Sequence, residues 1–75
     1  MVESPTFGAE LGIRIKEARV RLQLSQGELA RLVKLSRVQI ARYEAGQQQP
    51  NAETMWRLAD ALGVKLEDLI PPVAS

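Results

Sequence analysis

The apolar residues between positions 7 and 22 are spaced by three or four, which is the period of one face of an α-helix. This stripe consists of Phe7, Leu11, Ile15, Ala18 and Leu22. Gly8 and Gly12 fall within it and are expected to weaken the first turns. The pattern predicts a first helix over about 7–22, preceded by a flexible arm at residues 1–5.

Two helix-start signals follow, eleven residues apart. Residues 25–28 read Ser-Gln-Gly-Glu and residues 36–39 read Ser-Arg-Val-Gln. Both are capping boxes, in which the serine hydroxyl and the Glu or Gln side chain satisfy each other's backbone N–H groups. They predict helices over 26–33 and about 37–44. Because almost no chain separates these helices, they must cross steeply, which is a helix-turn-helix.

The remaining signals predict two further helices. Asn51 is a suitable cap for a helix over 52–62, and Gly63 suits its end. The inward set of that helix is Met55, Leu58, Ala59 and Leu62. A short fifth helix over about 66–70 stops before Pro71 and Pro72. No strand-like alternation occurs, so we expect an all-α five-helix bundle over residues 6–70, with a tail at 71–75.

Composition and charge restrict the function classes. The chain has 75 residues, 45% of them hydrophobic, and no cysteine, which fits one small domain without disulfides. No apolar run approaches the roughly 20 residues that span a bilayer, so a membrane partner is not expected. The net charge is +1, but residues 1–42 carry +4 and residues 43–75 carry −3. This polarity favours a polyanion partner for the first half, although chance could also produce it.

The third helix has a side suited to the major groove of DNA. Ile40 and Tyr43 face inward, which leaves the opposite side to Arg37, Val38, Ala41, Arg42 and Ala45. Eight residues make about 12 Å of helix, and the groove of B-DNA is about 12 Å wide. Arginine can bind the O6 and N7 edge of guanine, and valine can touch a thymine methyl group. The alternative is an exposed helix face with solubilising arginines.

Two glutamines and one aromatic residue are further candidates. Gln26, in the first turn of the second helix, could hold a phosphate there, or be an ordinary surface residue. Gln39 could contact the DNA backbone unless its capping role occupies it. Because one short helix reads too few base pairs to find a single genomic site, we expect a homodimer. Its candidate contacts are Trp56, Leu66, Leu69 and Ile70, with core filling as the alternative for Trp56.

One further pattern lies between Gly12 and Leu69 and combines the two capped helices with residues of the later helices. It consists of Leu24, Ser25, Gln26, Glu28, Leu29, Ala30, Leu35, Ser36, Arg37, Ile40, Tyr43, Glu44, Gly46, Pro50, Leu58, Ala59, Ala61, Leu62, Gly63, Val64 and Leu69. Through these residues the sequence resembles the phage-repressor and Cro-like helix-turn-helix proteins, the XRE family. The resemblance implies a lambda-repressor-like fold and sequence-specific binding of double-stranded DNA, usually by a dimer on a palindromic operator. Restriction–modification controllers and phage or plasmid repressors are such proteins.

The resemblance also implies roles for individual residues. Base contacts map onto Arg37, Val38 and Arg42, and a phosphate contact maps onto Gln26. Arg19 and Glu44 match a salt bridge between the first helix and the end of the third. Gln47 begins a loop where the family often has Lys or Arg, so its backbone contact is expected to be weaker.

Two departures from the family pattern concern helix ends. Lys34 stands in the turn between the second and third helices, where the family usually has glycine in a left-handed conformation. A non-glycine residue there costs roughly 1 kcal/mol, so the turn is either strained or follows a different path. Lys65 stands where a capping Ser or Thr is common, so the last helix is expected to fray.

Catalysis is not expected. The chain has no histidine and no cysteine, which excludes Ser-His and Cys-His nucleophile pairs and zinc sites with these ligands. We therefore expect no cofactor, metal or small-molecule ligand, and a cytoplasmic location. The competing hypothesis is an antitoxin or adaptor that keeps the helix-turn-helix fold but binds a protein.

Overall fold

The computed structural model describes residues 7–72, which form five α-helices and no strand. They are α1 (Phe7–Arg21), α2 (Gln26–Val33), α3 (Arg37–Glu44), α4 (Ala52–Leu62) and α5 (Leu66–Leu69). The all-α five-helix prediction is therefore confirmed. The predicted arm at 1–5 and the last three residues of the predicted tail lie outside the described residues, and Pro71 of that tail is buried.

Local capping explains why the helices begin where they do. Ser25 and Ser36 each form a complete capping box, with Glu28 and Gln39 as the reciprocal partners. Asn51 caps α4 by accepting a hydrogen bond from the Thr54 amide at 2.8 Å. Lys65 stands at the N-cap of α5, but its side chain makes no capping hydrogen bond there. α5 is only four residues long.

All five helices contribute to one core. α1 packs against α3, α4 and α5, while α2 packs against α3 and α4. The inward residues predicted for α3 and α4 lie in this core, except that Met55 is only partly buried. The buried apolar residues are Leu11, Ile15, Ala18, Leu29, Ala30, Val33, Ile40, Tyr43, Leu58, Ala59, Leu62 and Leu69.

The two ends of the predicted stripe on α1 do not join this core. Phe7 is 41% exposed and Leu22 is 48% exposed. Leu22 lies beyond the last residue of α1, and Gln23 then turns the chain with a φ of 60°. The helical period therefore stops before Leu22, and no glycine marks the left-handed turn that ends it.

α1 and the end of α3 approach so closely that their backbones touch. A Cβ atom at Gly12 would lie 2.4 Å from the Tyr43 carbonyl oxygen and 2.6 Å from that of Glu44. Only glycine fits there without moving a helix. Gly12 was expected to weaken α1, but the structure shows that it permits this contact.

The turn between α2 and α3 keeps a left-handed residue without a glycine. Lys34 has φ 59° and ψ 43°, and its backbone N–H donates to the carbonyls of Ala30 and Arg31. The sequence left open whether this turn is strained or follows a different path. The left-handed Lys34 shows that the path is kept and the turn is strained. Lys34 adopts a conformation that costs an L-residue roughly 1–2 kcal/mol.

Candidate nucleic-acid interface

The outer side of α3 is exposed while its inner side is fixed in the core. Ile40 and Tyr43 are 0% and 5% exposed. Arg37, Arg42 and Val38 are exposed, and Ala41 between them is half-buried. The three residues expected to contact bases therefore share one accessible side of a helix.

The first turn of α3 carries no acidic residue. The macrodipole of a helix favours acids in this position, and α2 has Glu28 there. In α3 the equivalent capping residue is the neutral Gln39. The start of α3 is therefore free of carboxylate charge.

The capping role of Gln39 occupies half of its amide group. Its Oε1 accepts hydrogen bonds from the Ser36 backbone N–H at 3.1 Å and from the Ser36 hydroxyl at 3.3 Å. The Nε2 atom makes no hydrogen bond to the residues that the structure describes. A DNA backbone contact by Gln39 thus stays a prediction, with Nε2 as its donor.

The two N-caps differ in charge. In α2 the carboxylate of Glu28 accepts a hydrogen bond from the Ser25 backbone N–H at 2.8 Å. This backbone bond, followed by that with the Ser25 side chain, lowers the pKa of Glu28 below its usual value. The cap of α2 is therefore sensitive to acid, whereas that of α3 is not.

Arg19 and Glu44 form the ion pair that the resemblance implied. Arg19 Nε lies 2.6 Å from Glu44 Oε2, and Arg19 Nη2 lies 3.0 Å from Glu44 Oε1. Their side chains are only 11% and 4% exposed. The hydrogen bonds from Arg19 to Glu44 raise the pKa of Arg19, so this arginine stays charged. Arg19 Nη1 also donates to the Leu24 carbonyl at 2.7 Å, which ties the turn before α2 to the same cluster.

Gln26 joins this cluster from the start of α2. Its Nε2 donates to Glu44 Oε1 at 3.1 Å. An amide nitrogen carries two protons, so the phosphate contact expected of Gln26 retains one donor. No local pattern predicted that Gln26 and Glu44 would meet, because the two residues are 18 positions apart and on different helices.

Gln47 lies on the exposed loop after α3. Its backbone N–H donates to the Arg42 carbonyl at 2.9 Å, and the preceding Gly46 has a φ of 74°. This closes the C-terminal end of α3 and leaves the Gln47 side chain accessible. The contact of Gln47 with DNA is not tested by these observations and remains a prediction.

The candidate dimer residues separate into two groups. Trp56 is 62% exposed, so its side chain does not fill the core. Leu66 and Ile70 are half-buried. Leu69, by contrast, is 1% exposed and belongs to the core of the chain itself, so its expected role as a dimer contact is wrong. Leu66, also on α5, packs against the same core while staying partly exposed.

Residues 7–72 lack the features of two other kinds of site. None of the helices within these residues combines the length and the hydropathy that a membrane-spanning segment requires. The same residues contain no group of three or more potential metal ligands placed together.

Comparisons with known proteins agree with this geometry. The sequence model of the helix-turn-helix family matches residues 15–69. An Aeropyrum pernix protein is 37% identical to this chain over 60 residues. Its name describes an HTH-type transcriptional regulatory protein. Those residues are 80% of this chain but only 17% of that relative, so the chain spans about a sixth of its length.

Two solved structures are similar over most of their own length. The restriction-modification controller protein C.AhdI from Aeromonas hydrophila has a TM-score of 0.80 and 32% identity, over 83% of this chain and 94% of C.AhdI. The P22 c2 repressor, solved with a synthetic operator, has a TM-score of 0.77 and 32% identity, over 80% of this chain and 91% of the repressor. The chain belongs to the helix-turn-helix family, of the XRE type.

Proposed function

We propose that this chain is a sequence-specific DNA-binding regulator of transcription, acting in the cytoplasm. The observation that carries the proposal is the exposed side of α3, where Arg37, Val38 and Arg42 project from a helix whose opposite side is buried. The helix is also fastened at its end by the buried pair of Arg19 and Glu44. A reading surface needs both accessibility and a fixed orientation. The names of C.AhdI and of the P22 repressor describe proteins with such roles.

The mechanism is occupancy of the major groove, without covalent chemistry. Arg37 and Arg42 bind guanine edges, Val38 contacts a thymine methyl group, and the half-buried Ala41 lets the helix approach closely. Gln26, Gln39 and Gln47 contact the DNA backbone and fix the register, whereas the α3 contacts select the sequence. Bound at a promoter, the chain excludes or recruits the transcription machinery.

Selection of bound duplexes from a random-sequence pool tests the proposal. The wild-type chain should enrich a defined sequence. Arg42→Ala should weaken binding to it by roughly 1–3 kcal/mol and relax the preference at one base position. Arg57→Ala removes the same charge from the exposed side of α4 and is the matched control, expected to leave the preference unchanged. Equal behaviour of the two variants would refute the role of Arg42.

The active unit is a homodimer on a two-fold symmetric site. Trp56 supports this because its large apolar side chain on α4 is 62% exposed, and tryptophan is enriched among the residues that dominate protein interfaces. Dimerisation would place two recognition helices about 34 Å apart, one turn of DNA. Trp56, Leu66 and Ile70 are the proposed contacts.

Sedimentation measurements, combined with tryptophan fluorescence, test the dimer. Trp56 is the only tryptophan, so its emission should shift to shorter wavelength as the concentration rises and the side chain becomes covered. Trp56→Ala should yield monomers, whereas Leu32→Ala, which removes a similarly exposed side chain from α2, should not. A monomeric wild-type chain on its selected duplex would refute the dimer.

A further inference from the structure

Glu44 has a second partner besides Arg19. Its Oε1 atom accepts from Arg19 Nη2 at 3.0 Å and from Gln26 Nε2 at 3.1 Å, while Oε2 accepts from Arg19 Nε at 2.6 Å. The Glu44 side chain is 4% exposed, so these three donors take the place of water. One buried carboxylate thus connects the ends of α1 and α3 to the start of α2.

This bond determines how the amide group of Gln26 is oriented. An amide can point either its oxygen or its nitrogen in a given direction, and only the nitrogen can donate to a carboxylate. Glu44 therefore selects the rotamer that directs Nε2 inward, and the planar amide holds its second N–H in a fixed direction. A half-buried glutamine fixed in this way loses less side-chain freedom when it binds a ligand.

The charge of Glu44 is compatible with this position because Arg19 compensates it. A lone carboxylate beside a DNA backbone contact would repel the phosphate. With the guanidinium bound in a two-point arrangement, the pair is neutral as a whole, and Gln26 is a neutral donor. The scaffold ion pair can therefore lie next to the interface.

We infer that Glu44 is a positioning residue for DNA binding, which acts by presenting the Gln26 amide to a backbone phosphate. The inference rests on the proposed function, and it separates two roles of the ion pair. Arg19 holds the helices together, whereas Glu44 also sets the contact made by Gln26. A variant of Glu44 should thus affect DNA affinity through Gln26, although Glu44 itself does not reach the DNA.

A double-mutant cycle tests this coupling. Its members are Gln26→Ala, Glu44→Asp and the double variant, all measured by fluorescence anisotropy on a duplex recovered by the wild-type chain from a random pool. Glu44→Asp keeps the charge but shortens the reach to Gln26. Arg19→Lys, alone and with Gln26→Ala, is the matched control, because it weakens the same ion pair and leaves Glu44 and Gln26 in place. All affinities are measured below the unfolding transition of the least stable variant.

Gln26→Ala should weaken binding about fivefold, as expected for one lost hydrogen bond. Glu44→Asp should cause a similar loss, and the double variant should be no weaker than Gln26→Ala alone. The losses of Arg19→Lys and Gln26→Ala should instead multiply. In NMR spectra, the side-chain amide signals of Gln26, identified by their absence in Gln26→Ala, should move in Glu44→Asp.

Other outcomes overturn the inference in distinguishable ways. If the losses of Glu44→Asp and Gln26→Ala multiply, or if the Gln26 amide signals stay in place, then Glu44 acts only on the fold. If Gln26→Ala binds the duplex as tightly as the wild type, the phosphate contact of Gln26 fails as well. If the wild-type chain enriches no duplex, the proposed function fails together with the inference.

Discussion

The two helices of the motif, α2 and α3, have the same length and the same type of N-cap, but their C-terminal ends are held by different means. α2 ends locally, at the left-handed Lys34. α3 ends against distant parts of the chain, where Glu44 pairs with Arg19 and Gly12 touches the backbone. The C-terminal end of the helix proposed to read DNA is thus fastened by contacts with a distant helix, whereas the C-terminal end of α2 is closed by a local left-handed turn. Substitutions at the C-terminal end of α3 should therefore lower the free energy of unfolding more than substitutions at the C-terminal end of α2.

The largest loss is expected for Glu44→Ala. Removing one partner of a buried ion pair leaves the other charge uncompensated, which costs about 3 kcal/mol of unfolding free energy. Glu53→Ala breaks the exposed pair with Arg57 on α4, where the Glu53 side chain is 71% exposed, and should cost less than about 0.5 kcal/mol. Urea denaturation of both variants gives the comparison. Equal losses would mean that the end of α3 is not specially held.

Gly12→Ala should come next, with a loss of about 2 kcal/mol, because its methyl group would overlap two backbone carbonyls. Gly27→Ala in the first turn of α2 should instead raise the stability by about 0.5 kcal/mol. A Cβ atom there would lie 3.9 Å from the nearest atoms, Arg37 Cδ and Ser25 Oγ. Chemical denaturation gives the free energy of unfolding of both variants. It thereby compares Gly12, which the close approach of α3 requires, with Gly27, which α2 does not require. Stabilisation by Gly12→Ala would contradict the close approach of α1 and α3.

Lys34→Gly should produce a small gain. Glycine relieves the left-handed strain of roughly 1–2 kcal/mol but costs about 0.5–1 kcal/mol of chain entropy, so a net gain of about 0.5 kcal/mol is expected. This corresponds to a rise in the melting temperature of about 3 °C. Ala45→Gly, at a residue with φ −82°, is the control and should lower the melting temperature. A fall for Lys34→Gly would show that the lysine side chain itself stabilises the turn.

The smallest effect concerns the N-caps and depends on pH. The pKa of Glu28 is lower in the folded chain than in the unfolded one, so its contribution is present above the unfolded pKa and is lost as the pH falls through the folded value. The stability advantage of the wild type over Glu28→Gln should therefore shrink below about pH 4, near the ordinary pKa of glutamate. Thermal melting from pH 7 to pH 3 measures this. An advantage that is independent of pH would show that the charge of Glu28 does not stabilise the cap.

The parts of the fold that the sequence predicted are those that depend on neighbouring residues. The boundaries of α2, α3 and α4 follow from Ser25, Ser36 and Asn51, whose caps involve residues within three positions. For the same reason Gly63 was recognised as suited to the end of α4, where it is left-handed with a φ of 69°. The Arg19–Glu44 pair was reached only through the family resemblance, since nothing local connects the two residues.

The parts that the sequence did not predict depend on packing between distant segments. Gly12 was interpreted by its helix propensity, because its contact with α3 is not visible along the chain. The bond between Gln26 and Glu44 is of the same kind. Leu69 ends the very short α5 and Ile70 follows it, and periodicity over so few positions cannot tell which of these adjacent apolar residues enters the core. The structure shows that Arg37, Val38 and Arg42 are exposed, but their contacts with bases remain predictions.

The burial of the Arg19–Glu44 pair has a consequence at high ionic strength. Attraction between surface arginines and phosphates weakens steeply as salt is added, because the release of counterions from the DNA then contributes less favourable free energy to binding. A pair that is 11% and 4% exposed is largely shielded from dissolved ions. Concentrated salt should therefore detach the chain from a duplex while α3 keeps its orientation, so that dilution restores a surface ready to bind again.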